Sequence, residues 1–157
     1  MKLAHVLVLS ALSLAAQFAQ SADTAEPAAP HAAAPSADKL AAARQWGAAI
    51  AELKRVDDRS SADWNNLMGY TLRKGATPDL AASEKYYDAA LRIDPHHRNT
   101  LEYSGELYLM KGDLPKAQSR LASLQSECGT ACSQYGDLKT AIDRYVANGN
   151  KYVASGW

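Results

Sequence analysis

Two cysteines in SECGTACSQ, Cys128 and Cys132, and two adjacent histidines, His96 and His97, are the residues whose types suit redox or metal chemistry. Their spacing argues against both. A redox pair more usually places two residues between its sulfurs, and a haem attachment would need a histidine where Ser133 stands. Zinc would need two further ligands, and the histidines lie 31 residues ahead of Cys128 with nothing in the spacing to bring them close. Serine, histidine and acidic residues are present, but none sits in a recognisable nucleophile turn, and no glycine-rich phosphate loop occurs. The expectation is a protein that is not an enzyme, with no catalytic residues, no metal and no cofactor.

Composition narrows the partners. A chain of 157 residues with 47% hydrophobic and 22% charged residues suits one modest globular domain. Lys+Arg and Asp+Glu number 17 each, so no strongly basic face is available for nucleic acid or an acidic membrane surface.

The N-terminal region reads as a signal for export. Lys2 precedes an apolar run from Val6 to Ala16, and Ala19-Gln20-Ser21 supplies small residues at the two positions a signal peptidase inspects. A membrane span needs about 20 apolar residues, and Gln17 and Gln20 cut this run short. Residues 1–21 are therefore expected to be a signal peptide, with a retained anchor as the rival. The mature chain is expected in the periplasm without stable membrane insertion. Residues 22–37 are mostly alanine and proline, unable to bury enough apolar surface to offset ordering entropy, and read as a flexible linker. His31 within it reads as incidental.

Beyond the linker the apolar residues fall at helical spacing and then recur. Leu114, Ala117, Leu121 and Leu124 are separated by three, four and three positions. Thirty-four residues earlier the same positions hold Leu80, Ser83, Tyr87 and Ala90, and 34 earlier again Trp46, Ala49, Leu53 and Val56. Gly105 and Tyr108 match Gly69 and Leu72, but at an interval of 36, because the loop KGATPDL is longer than the turn KGDL. In that longer loop Thr77 can cap and Pro78 can take the first helical position. Asp94-Pro95 should stop one helix, and Asn99 or Thr100 should start the next.

This pattern of glycine, an apolar or aromatic residue three later, Gly-Asp, alanine, an aromatic or leucine four later, Ala-Leu and Asp-Pro resembles the tetratricopeptide repeat (TPR), whose period is 34. The resemblance covers Trp46 to Leu124, with near-complete copies at 62–95 and 98–126 and a degenerate one at 38–60. There are departures. Trp64 sits one position early, Ser83 replaces the usual alanine, and the last copy lacks its terminal proline. The resemblance implies an all-α fold, a short helical-hairpin solenoid with a C-terminal capping helix. It also implies a groove lined by the first helix of each repeat, whose exposed stripe here would be Asn66, Tyr70, Arg73, Glu102, Glu106 and Leu109.

The remaining segments would close the array. Residues 38–58 supply either a short helix plus a longer one, which is preferred, or one helix bent near Gly47. Tyr135, Leu138, Ala141, Ile142 and Tyr145 recur at three and four in an amphipathic capping helix over 133–147. The repeat domain then spans 38–148 and a tail 149–157. Two cysteines in an exported protein suggest one disulfide, pinning the cap to the array. The functional expectation is a scaffold or protein-binding module of the cell envelope that takes a peptide or partner helix. The alternatives are a homodimer built on exposed Tyr86, Tyr103 or Tyr152, and a thiol- or metal-handling envelope protein.

Overall fold

Residues 36–153 are described by the computed structural model; the expected signal peptide, all but the last two residues of the linker, and residues 154–157 lie outside them. The described residues form seven helices and no strand, an all-α fold. In chain order they are α1 (Ala37–Ala42), α2 (Trp46–Val56), α3 (Ala62–Lys74), α4 (Leu80–Ile93), α5 (Arg98–Met110), α6 (Leu114–Cys128) and α7 (Ser133–Ala147).

The internal arithmetic of the sequence is visible in where the helices begin. The first residues of α2, α4 and α6 are Trp46, Leu80 and Leu114, at steps of 34, and the small residues three positions in, Ala49, Ser83 and Ala117, are all 0% exposed. Small side chains there let a neighbouring helix approach closely, and Ser83 uses its hydroxyl to donate to the Gly69 carbonyl at 2.7 Å. The first residues of α3 and α5 are 36 apart, and their buried positions coincide at that step: Trp64 with Thr100, Met68 with Ser104, Gly69 with Gly105, Arg73 with Leu109. The extra two residues sit in the loop 75–79, against the loop 111–113 in the later pair.

Helix starts differ from the sequence reading in two places, each for a local reason. Asp79, not Thr77, caps α4, its carboxylate accepting from the Ala82 N–H at 2.9 Å. Asp113 does the same for α6, accepting from Lys116 at 3.1 Å, and a carboxylate at a helix N-terminus also meets the positive end of its dipole. The start of α5 is Arg98, one residue before the expected Asn99, and His97 caps it, its Nδ1 accepting from the Thr100 N–H at 3.2 Å. The segment before α3 is a short helix plus a longer one, as preferred from the sequence; they part at residues 43–45, where Arg44 takes a left-handed φ of 57°, and Gly47 lies inside α2.

Consecutive helices pack together, and in addition α1 touches α3, α3 touches α5 and α5 touches α7. Among the described residues the backbones of the even-numbered helices stand apart, and α4 and α6 meet through side chains, Glu84 with Lys116 and Asp88 with Arg120, each pair at 3.9 Å. Two apolar clusters hold the layers. One gathers Leu53, Trp64 and Met68 with Ile50, Leu67 and Tyr86 packed on them, and the Trp64 indole N–H donates to the Leu53 carbonyl at 2.9 Å. The other joins Leu101, Tyr108 and Leu109 of α5 to Ala117 and Leu124 of α6 and to Leu138, Ile142 and Tyr145 of α7. Val56 departs from the recurring stripe: it ends α2 and is 53% exposed, whereas its counterparts Ala90 and Leu124 are fully buried.

Candidate functional site

Tyr70 of α3 and Tyr103 of α5 form a row of aromatic rings with Trp46 of α2. Trp46, at the start of α2, meets Tyr70 of α3 edge-on with centroids 5.9 Å apart, and Tyr70 meets Tyr103 of α5 at 4.9 Å. All three rings are half-buried. Beside Tyr70 and Tyr103 opens a cleft of about 230 Å³, lined also by Arg73, Lys74, Glu102, Glu106 and Asp137.

The floor of that cleft is an ion pair. Arg73 Nη1 lies 2.6 Å from Glu106 Oε2, with the two side chains 2% and 9% exposed. Arg73 Nε also donates to the Tyr87 hydroxyl at 3.4 Å. Burial by itself would lower the Arg73 pKa, but Tyr87 and Glu106 together raise it above its ordinary value. The pair is structural, because removing either partner would strand a charge away from water.

Glu102 differs. The residue is 8% exposed, and burial, reinforced by Glu106 and Asp137 and opposed by Arg73, pushes its carboxyl up to about 8. Its neighbour Tyr103 is pushed up to about 12, by burial and then by the Glu102 carboxylate.

A second cleft, about 450 Å³ and mostly apolar, lies between α7 and the residues that follow it, lined by Ala141, Arg144, Tyr145, Asn148, Tyr152 and Val153. Glu106 borders both clefts. The two spaces therefore adjoin along the side of α5 that faces α7.

The stripe expected to be exposed is mostly not. Arg73 and Glu106 pair with each other, and Leu109, 1% exposed, belongs to the apolar cluster of α5, α6 and α7. Asn66 is buried and accepts from the Thr100 hydroxyl at 3.1 Å, tying α3 to α5. Glu102 is buried and reaches the cleft, and Tyr70 alone of the six keeps a substantial exposed surface. The reason is that α3 and α5 are flanked on two sides: each packs on its hairpin partner and on the next odd-numbered helix. Tyr86, Tyr103 and Tyr152, expected to be exposed, are likewise half-buried: Tyr86 packs on Trp64, Tyr103 on Tyr70, and Tyr152 on the larger apolar cluster. Lys74, Tyr103 and Asp137 complete the cleft without having been singled out for it.

The remaining chemistry-bearing residues have structural work. Cys128 and Cys132 are disulfide-bonded, joining the last residue of α6 to the residue before α7. His97, besides capping α5, places Nε2 2.9 Å from Asp63 of α3, and His96 Nδ1 lies 2.6 Å from Glu127, whose hydrogen bond raises the His96 pKa. Among the described residues no group of three or more metal-binding side chains comes together, and no helix is long and apolar enough to cross a membrane. A scan of protein-family models, a search of curated proteins and a search of solved structures each returned no match.

Proposed function

We propose that this chain is a non-catalytic binding module of the cell envelope, a short TPR-like stack of helical hairpins that holds an extended peptide or partner helix along its odd-numbered helices. Three regularities support a stack: even-numbered helices beginning 34 residues apart, matched burial on α3 and α5 at 36, and side-by-side contact of α1, α3, α5 and α7. Odd helices packed closely on one another, beside even helices whose backbones stand apart and of which α4 and α6 meet through long side chains, make an arc with the odd row on the inside.

The observation that carries a binding role is the aromatic row Trp46–Tyr70–Tyr103, which continues into the two adjoining clefts. Half-buried rings give large contact area at small entropic cost, which is why aromatic residues recur at interfaces. A long, shallow, mixed surface of this kind suits a polypeptide. Export to the periplasm is part of the same proposal, supported by the Lys2 and Val6–Ala16 pattern and by the disulfide.

A photo-crosslinking amino acid placed at position 70 in living cells tests the proposal, with a control at the exposed Gln118 on α6. A discrete protein adduct from position 70 and none from 118 is the expected result. Adducts of equal yield from both positions, or none from 70, would overturn it.

A further inference from the structure

We propose that the cleft between α3, α5 and α7 is a pocket for the side-chain ammonium of a lysine in the bound peptide, with Glu102 as its counter-ion. This deepens the peptide-binding reading above and rests on it.

Among the described residues no hydrogen bond or ion pair ends on Glu102, although it is 92% covered and lines the cleft. Its oxygens open onto the cleft, where a largely covered carboxylate is poorly hydrated and a positive partner would stabilise it. Arg73 acts on Glu102 as a nearby positive charge but forms its ion pair elsewhere. Arg73 is already held by Glu106 at 2.6 Å. Lys74 faces it from α3 and Asp137 from α7. Among the described residues that line the cleft, three acids therefore stand beside two bases, and their formal sum is one negative charge when Glu102 is ionised and none when it is protonated.

The walls suit an alkyl chain. Tyr70 and Tyr103, with centroids 4.9 Å apart, carry the Arg73 guanidinium 5.8 Å from each centroid and offer their remaining ring surface to four methylenes whose ammonium meets the Glu102 carboxylate. A carboxylate ligand would meet Glu102 and Asp137 as like charges, and a wholly apolar side chain would leave Glu102 uncompensated.

The raised pKa of Glu102, about 8, supplies a signature. At neutral pH the empty cleft holds the carboxyl proton; on binding, the ammonium favours the carboxylate and the proton leaves to solvent. Affinity for a lysine peptide should then rise about fivefold between pH 7 and pH 8, while the lysine remains charged.

The test is selection of a random peptide-display library on the immobilised full chain, followed by titration of the strongest synthetic peptide, its lysine-to-norleucine analogue, and the Glu102→Gln protein checked for native circular dichroism. Enrichment of lysine, a loss of about tenfold or more for norleucine and for Glu102→Gln, and loss of the pH dependence in Glu102→Gln support the proposal. Peptides that bind with no lysine preference, or tolerate norleucine unchanged, overturn it and leave the groove reading standing. If no peptide of any charge is retained, both fall.

Discussion

Gly105 of α5 faces Leu138 of α7 with no space between them: a Cβ built on the glycine would lie 2.5 Å from one Leu138 methyl carbon and 2.7 Å from the other. Leu138 is 0% exposed, so its methyl groups have nowhere to retreat. Gly69, the equivalent residue on α3, faces Tyr87 in the same way, at 2.7 Å. Two glycines at matching positions thus set the approach of α5 to α7 and of α3 to α4.

Replacing Gly105 by leucine should therefore lower unfolding free energy by about 1–3 kcal/mol through overpacking. Gly47, inside α2 with nothing within 4 Å of a built Cβ, is the control. Its replacement by alanine should raise stability by about 0.5–1 kcal/mol. Urea unfolding of both variants checks the pair of signs.

Glu106→Ala should cost about 3–5 kcal/mol, because it leaves the buried Arg73 guanidinium without its carboxylate. Combining it with Arg73→Met should recover much of the loss, and a double-mutant cycle on thermal unfolding measures the recovery.

Stability should fall with rising pH where Glu102 is concerned. Its carboxyl releases its proton near 4.5 in the unfolded chain and near 8 in the fold, so the unfolded state gives up the proton first. The contribution is fully present below about pH 4.5, is lost progressively up to about 8, and is flat above that. Glu102→Gln should flatten this limb in a pH series of denaturation midpoints and make the protein more stable than the parent at pH 9.

Reduction of the Cys128–Cys132 disulfide should lower stability by about 2 kcal/mol, the amount expected for so short a closed loop. A melting curve with and without reductant reads it directly. Unchanged melting would mean that α7 holds its place on α5 through Leu138, Ile142 and Tyr145 alone.

How much of this was legible in the chain depends on what kind of physics wrote it. The 34-residue recurrence was readable because Ala49, Ser83 and Ala117 are constrained by packing, and packing restricts residue size. The 36-residue match of Gly69 with Gly105 was readable for the same reason. The caps were harder. Asp79, Asp113 and His97 all act through one hydrogen bond, and Thr77 and Asn99 have equally plausible chemistry a residue or two away. The cleft was least legible. Tyr70 and Tyr103 sit 33 residues apart, so neither recurrence aligns them; they meet because of how α5 is staggered against α3, which no single helix encodes. Nor could the periodicity of one helix say that Arg73 and Glu106 would face each other and vanish from the surface. Reading each first helix as having one free side overlooked the neighbour that lies along it.

The spacing of α2, α4 and α6, whose backbones stand apart and of which α4 and α6 are bridged by Glu84–Lys116 and Asp88–Arg120, has a mechanical side. Bending the arc tighter or letting it relax disturbs no close backbone packing between these three and, between α4 and α6, strains long ion pairs of small individual worth, so the outer row offers little resistance and the inner row mainly fixes the curvature. A ligand seated on that inner row grips the stiff element of a spring, and small changes in how α3, α5 and α7 lie together would be magnified into larger swings at the ends.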